Sequence, residues 1–235
     1  MDDSRPVSDV TAGPRLRGGS PVSARRRSGR ENLARILKAA ETVFAEKGFG
    51  GATMAEIAEK ASLPKANLHY YFGTKGELYR AVLADILSVW LTPMSAISSE
   101  ADPAEALADY VRAKMAASWQ RPYASKVFAN EVLHGAARIE SFLSDDLRRL
   151  VDEKAAVLEG WMAAGRMAPV DPRLFFFMVW ALTQHYADFD VQVRLVLGRK
   201  RLHPADFDHI TAEVTRMVFR AAGLTDSGER VAPKT

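Results

Sequence analysis

From Glu31 onward, Leu33, Ile36, Leu37, Ala40, Val43 and Phe44 recur at three- and four-residue spacing, the apolar stripe of a helix of about 17 residues, and Gly48 marks its stop. Thr53-Met54-Ala55-Glu56 then reads as a capping box opening a short helix that carries Ile57, Ala58 and Ala61 inward. Ser62-Leu63-Pro64 interrupts the pattern. Pro64 suits the first turn of a third helix, in which Leu68 and Phe72, four residues apart, form an inward face before Gly73. The rest shows no strand alternation and no repeat. Asp102-Pro103 and Asp171-Pro172 each place a capping Asp before a Pro at the first helical position. The periodicity predicts helices over 75–98 (bent or ended near Pro93), 103–120, 123–134, 139–164, 172–197 and 204–222. The fold class is all-α: an N-terminal three-helix unit with a helix-turn-helix, then a larger helical domain.

Composition narrows the function classes. The 235 residues include no Cys, which excludes disulfides, thiolate metal sites and a Cys nucleophile. The longest apolar run, residues 174–182, is nine residues, well short of a membrane-spanning helix. Net charge is +3, unevenly spread. Residues 1–30 hold seven Arg and three Asp, residues 31–75 six Lys or Arg and five Glu, and the remainder 19 basic against 21 acidic side chains. The first 30 residues also contain twelve Gly, Pro or Ser and only seven apolar residues, so they read as a disordered basic arm without the apolar core of a secretory signal. The expected division is this arm, a helix-turn-helix domain over 31–75, a helical domain over 76–223 and a flexible tail over 224–235. The expected location is the cytoplasm. Arg25-Arg26-Arg27 fits either a solvated tail or an arm that tracks phosphates.

A short helix, a tight turn and a second helix form the arrangement whose second helix enters the DNA major groove. With Leu68 and Phe72 inward, Lys65, Ala66, Asn67, His69 and Tyr70 occupy the exposed arc that a groove roughly 12 Å wide admits. Lys donates to guanine O6 or N7, Asn and His bond base edges or phosphates, and Ala leaves room for a thymine methyl. Tyr70, Tyr71 and Lys75 have the reach to hold phosphates. Taken singly, each is an ordinary surface or packing residue. Their joint occurrence behind a capping box and a Pro-started helix is what points to DNA.

The run from Thr53-Met54-Ala55-Glu56-Ile57-Ala58 through Leu63-Pro64-Lys65-Ala66-Asn67-Leu68-His69-Tyr70-Tyr71-Phe72 to Lys75 resembles the DNA-binding domain of the TetR family, over roughly residues 31–79. The resemblance implies a homodimeric transcriptional regulator, not an enzyme, with a C-terminal domain for effector binding and dimerisation and a pseudo-palindromic double-stranded DNA operator. It places Lys65, Ala66, Asn67 and His69 at bases or nearby phosphates and Thr53, Tyr70, Tyr71 and Lys75 on the backbone. At His69 the family more often has Tyr or Leu, so base preference does not carry over.

A narrower resemblance, to pyrimidine-responsive members of that family, rests on Leu87-Ser88-Val89-Trp90-Leu91, Gly160-Trp161, Ala168-Pro169-Val170-Asp171-Pro172 and the run from Trp180 through Gln184-His185 to Asp188-Phe189. It implies uracil or thymine as effector, with Trp90 and Gln184 at the ligand. A flat, uncharged base needs an aromatic surface plus a donor and an acceptor side by side, and a Gln amide offers both. Phe128 and Trp180 are candidate apolar walls, and His185 and Asp188 candidate polar partners. The same residues also fit a helical core and a buried polar network, and an unrelated hydrophobic effector fits the family equally. No cofactor or metal is expected. An enzyme carrying a DNA-binding module lacks support, since the chain has no G-x-S-x-G, H-E-x-x-H, Walker or dinucleotide glycine loop. Non-specific nucleoid binding through the arginine arm is the remaining class.

Overall fold

A computed structural model describes residues 21–224, with side chains from residue 28 on. Ten α-helices occupy these residues: α1 (Pro21–Gly51), α2 (Met54–Lys60), α3 (Lys65–Tyr71), α4 (Lys75–Leu91), α5 (Pro103–Gln120), α6 (Pro122–Leu133), α7 (Arg148–Ala163), α8 (Pro172–Asp188), α9 (Asp190–Val196) and α10 (Pro204–Ala222). A 3-10 turn (Thr92–Ala96) containing Pro93 follows α4, and a π-helical turn (Phe142–Leu147) leads into α7.

The local signals act as their chemistry requires. Thr53 and Glu56 close a capping box on α2, and a second box, Thr74 with Glu77, opens α4. Asp102 and Asp171 each accept two backbone N–H bonds at the starts of α5 and α8. Gly48 takes φ 66°, ψ 174° and kinks the end of α1. Gly223, at φ 66°, ends α10 so close to Ala168 that an added Cβ would stand 2.6 Å from the Ala168 Cβ. Only glycine fits there.

Three expectations change. Residues 21–30, read as part of a disordered arm, continue α1 as helix; extending a helix that is already packed is far easier than nucleating one, and Pro21 suits its first turn. The arm's first 20 residues and tail residues 225–235 lie outside the described residues; Leu224 itself is buried in the core. The single helix predicted over 172–197 breaks at Phe189 (φ −113°, ψ 32°) into α8 and α9. Pro64 stands one residue before α3, in extended conformation, instead of inside its first turn.

Two apolar cores organise the described residues. The first joins Ile36, Ala40 and Phe44 of α1 to Ile57, Leu68, Leu78, Val82 and Ile86, and it runs on through Trp90 of α4 to Ala124 and Val127 of α6. The head therefore does not close at residue 75: α4 and α6 belong to its core. The second packs Leu107, Tyr110 and Val111 of α5 with Leu158 and Trp161 of α7, Phe176 and Val179 of α8, and Val214 and Val218 of α10.

Candidate DNA-reading face and ligand-binding body

A seven-residue helix such as α3 is unstable alone, so tertiary contacts must hold it. Leu68 anchors it, fully buried. The turn before it places Ser62 at φ 51°, and the Arg35 guanidinium donates to the carbonyls of Ala61 (2.7 Å) and Ser62 (3.0 Å), satisfying the end of α2. At the far end the Tyr71 hydroxyl donates to the Gly29 carbonyl at 3.2 Å, tying α3 to α1. Lys75 donates to the carbonyls of Phe49 (2.7 Å) and Ala52 (2.8 Å), with its ammonium 4.6 Å from the Phe49 ring centroid. Arg138, from the loop after α6, lies against the same ring at 3.8 Å.

These bonds sort the predicted DNA residues. Lys65, Ala66, His69 and Tyr70 are exposed along α3, and Tyr70 is 84% exposed, far too open for a packing role. Asn67 is half-buried. Thr53 is exposed while its hydroxyl serves the capping box. Lys75 and Tyr71, expected at phosphates, have their polar atoms engaged by backbone carbonyls, so in this conformation they brace the reading helix instead of reaching outward. Arg35 shares that bracing, and no local motif marks it.

The predicted effector residues do not converge on one pocket. Trp90 is buried, edge-to-face with Phe128 at 5.2 Å, and the Lys114 ammonium sits 4.5 Å from its ring centroid. Lys114 is 4% exposed and makes no hydrogen bond or ion pair among the described residues. Desolvation pulls its pKa down to about 8, against the opposing pull of Asp188. Burial raises the Asp188 carboxyl, while the Ser125 hydroxyl that donates to it, Lys114, Lys126 and His185 favour its charged form. Gln184 lies half-buried on the α8 face between Trp180 and Asp188, one turn from each. Trp180 instead donates its indole N–H to the Tyr110 hydroxyl at 2.7 Å and stacks near Phe176, in the second core. His185 is exposed and stacks on Phe189 at 5.1 Å. Trp90, Phe128 and Lys114 thus group together with Asp188 acting on Lys114, and Gln184 stands one turn before Asp188 on α8, whereas Trp180 and His185 have structural partners elsewhere. Among the described residues no three His, Asp or Glu side chains converge as a metal site, and no helix is long and apolar enough to cross a membrane.

An ionic junction reinforces the packing between the two halves. Arg121, between α5 and α6, donates to Glu41 of α1 (Nε, 3.2 Å) and to Asp85 of α4 (2.7 Å), and the Glu41 side chain is buried. Displacement of α6 therefore acts on two helices of the head at once. Its partners lie 80 and 36 residues away in sequence, which is why no spacing announced it.

A three-helix head with an exposed second reading helix, joined to a helical body holding unpaired polar groups, defines a ligand-responsive helix-turn-helix transcriptional regulator. The chain belongs to the TetR family: the family of bacterial regulatory proteins named for tetR matches residues 36–82, and the C-terminal region of YcdC-like proteins matches residues 83–225. It is 40% identical over 209 residues to the HTH-type transcriptional regulator RutR of Escherichia coli (strain K12), covering 89% of this chain and 94% of that protein. The HTH-type transcriptional repressor NicS of Pseudomonas putida is 31% identical over 132 residues, 56% of this chain and 61% of NicS. Among solved structures, PfmR of Thermus thermophilus superposes with TM-score 0.61 at 20% identity (79% and 94% covered). AibR, solved with isovaleryl coenzyme A and operator DNA, gives 0.59 at 20% identity (80% and 97%). These two share the fold. The chain is a RutR-like transcriptional regulator, not an enzyme.

Proposed function

We propose that this regulator senses a pyrimidine base, uracil or thymine, and releases or engages its operator in response. The observation that carries the reading is the grouping of Trp90, Phe128 and Lys114, with Asp188 acting on Lys114 and Gln184 one turn before Asp188 on α8, in a chain 40% identical to RutR. An indole plane, an amide with donor and acceptor side by side, and an otherwise unpartnered ammonium supply what a flat ring edged with carbonyls and N–H groups requires. Lys114, which the sequence reading left out, donates to a ring carbonyl. Phe128 lines the apolar wall, and Asp188 balances the ammonium.

Trp90 stands 15 residues beyond Lys75 on α4, about 22 Å along a continuous helix. A ligand that repacks Trp90 moves the base of the head through that helix and through Arg121. Such coupling acts only if the ligand prefers one head arrangement, and operator DNA then weakens ligand binding by the same factor.

At the operator, Lys65, Ala66, Asn67 and His69 face bases, while Tyr70 and Thr53 hold phosphates. Tyr71 and Lys75 fix the helix that presents them. Two copies pair through α8 and α10, whose Leu174, Phe177 and Met217 are large exposed apolar side chains. Paired heads fit half-sites about 34 to 36 Å apart.

The test is thermal unfolding with uracil, thymine, cytosine, adenine and an apolar compound at matched concentrations. A ligand at 100 times its Kd adds about 2.7 kcal/mol, a rise of several degrees. Stabilisation by uracil or thymine, abolished by Gln184→Leu with operator binding retained, is the expected result; no shift with either base overturns the pyrimidine reading.

A further inference from the structure

Against the Thr183, Tyr186 and Ala187 face of α8 lies a cavity of about 360 Å³ that contains none of the side chains assigned to the pyrimidine. It is framed by α5, α6, α8 and α9 together with the loop and first turns of α10, and its size falls in the range of small-molecule sites. Its walls are aromatic. The Trp119 and Phe207 rings stand 4.8 Å apart at 33°, and Tyr123 faces the same space; Trp119 and Tyr123 are 37% and 39% exposed, unusual for such large side chains.

Two features of the cavity call for a polar ligand. At its inner wall the Ser118 side chain is 4% exposed, and its hydroxyl has no hydrogen-bond partner among the described residues. A buried hydroxyl left unpaired is destabilising, so an acceptor or donor from a bound molecule stabilises it. At the rim, Lys126, Arg194 and Arg201 outnumber the single carboxylate of Asp190. Asp190 pairs with Lys126 at 2.9 Å and with Arg194 at 3.2 Å, and Arg201 has no partner among the described residues.

We infer that this cavity is a second small-molecule site, one that takes a planar aromatic carboxylate bearing a hydrogen-bonding group on the ring opposite the carboxylate. The ring lies between Trp119, Phe207 and Tyr123, the carboxylate meets Arg201 at the cationic rim, and the distal polar group reaches Ser118. A neutral pyrimidine leaves the rim charge unanswered, so the two sites select different chemistry. The site stands independently of the pyrimidine reading. It also has a route to the head: Pro122 and Tyr123, in its wall, directly follow Arg121, which holds Glu41 and Asp85.

The experiment is isothermal titration of the full-length protein with 4-hydroxybenzoate, benzoate and the neutral isostere 4-hydroxybenzamide, in wild type, Arg201→Gln, Ser118→Ala and Gln184→Leu. The expected result is binding of 4-hydroxybenzoate about tenfold tighter than the amide, weakened about tenfold by Arg201→Gln, as loss of a charge-assisted hydrogen bond predicts. Ser118→Ala removes the preference for 4-hydroxybenzoate over benzoate. It leaves the unliganded melting temperature undiminished, because the hydroxyl it deletes has no partner. Gln184→Leu leaves all three affinities unchanged. Absence of binding at millimolar 4-hydroxybenzoate overturns the inference, as does binding that is indifferent to both Arg201→Gln and Ser118→Ala, or that uracil displaces competitively. Failure of uracil to bind, with 4-hydroxybenzoate still bound, removes only the pyrimidine reading.

Discussion

In the head, Lys75 donates to the Phe49 and Ala52 carbonyls, Arg35 closes the turn before α3, and the Arg138 guanidinium sits 3.8 Å from the Phe49 ring centroid. In the body, by contrast, among the described residues the Lys114 ammonium has an aromatic face and no hydrogen bond, and the buried polar atoms Ser118 Oγ and Trp161 Nε1 have no partner. The difference follows from the tasks. A reading helix of seven residues must be presented in one orientation, since base-edge hydrogen bonds tolerate little displacement, so its supporting polar groups are satisfied within the protein. A sensing body needs groups whose best partners arrive with the ligand. The free energy of pairing a buried donor then appears on binding instead of on folding.

The sharpest way to break the comparison is to cut the anchor of the reading helix. Leu68→Ala, at a fully buried site, should destabilise the protein by about 2 to 5 kcal/mol in denaturant unfolding and abolish operator binding, leaving ligand-induced stabilisation of the remaining folded protein intact. Lys114→Met should do the reverse, raising stability at pH 7 by about 1 to 3 kcal/mol while eliminating the uracil-induced shift. Below pH 8 both folded and unfolded chains carry the Lys114 proton, so the burial penalty is fully present. Between about pH 8 and 10.5 the folded chain releases the proton first, and wild-type stability gains over that window. The Lys114→Met protein should lack this rise in parallel urea titrations at pH 7, 8.5 and 10.

Arg35→Met should lower stability by about 1 to 2 kcal/mol through the two carbonyls it leaves unpaired, and weaken operator affinity in fluorescence anisotropy without altering ligand affinity. Tyr71→Phe, which deletes one partly buried hydrogen bond, should change stability by about 1 kcal/mol or less and weaken operator binding a few-fold. An operator affinity unchanged by both substitutions would mean that α3 needs no bracing from α1.

Much of this molecule was legible from local pattern. The Thr53–Glu56 box, the inward Leu68, the Asp102 and Asp171 caps and the stripe of α10 each depend on residues within one or two turns, and spacing reports such interactions directly. The exposed arc of α3 follows from the same periodicity once Leu68 points inward. What the chain alone did not reveal was set by contacts between distant segments. The apolar pattern of 172–197 runs on through Phe189, yet the helix breaks there, where α6 grips both sides: Ser125 donates to Asp188, and Lys126 pairs with Asp190 at 2.9 Å. The same logic placed Trp180 on Tyr110 instead of at the ligand, put Lys114 over Trp90, turned Lys75 onto carbonyls and gathered the walls of the second cavity from five helices and a loop. Sequence by itself determined most of the helices, the Asp and Thr caps it marked and the family, because those rest on periodicity and short-range hydrogen bonds. Which polar groups are satisfied and which stay unpaired was decided only by the tertiary packing, because burial and partnership are properties of segments that meet across the fold.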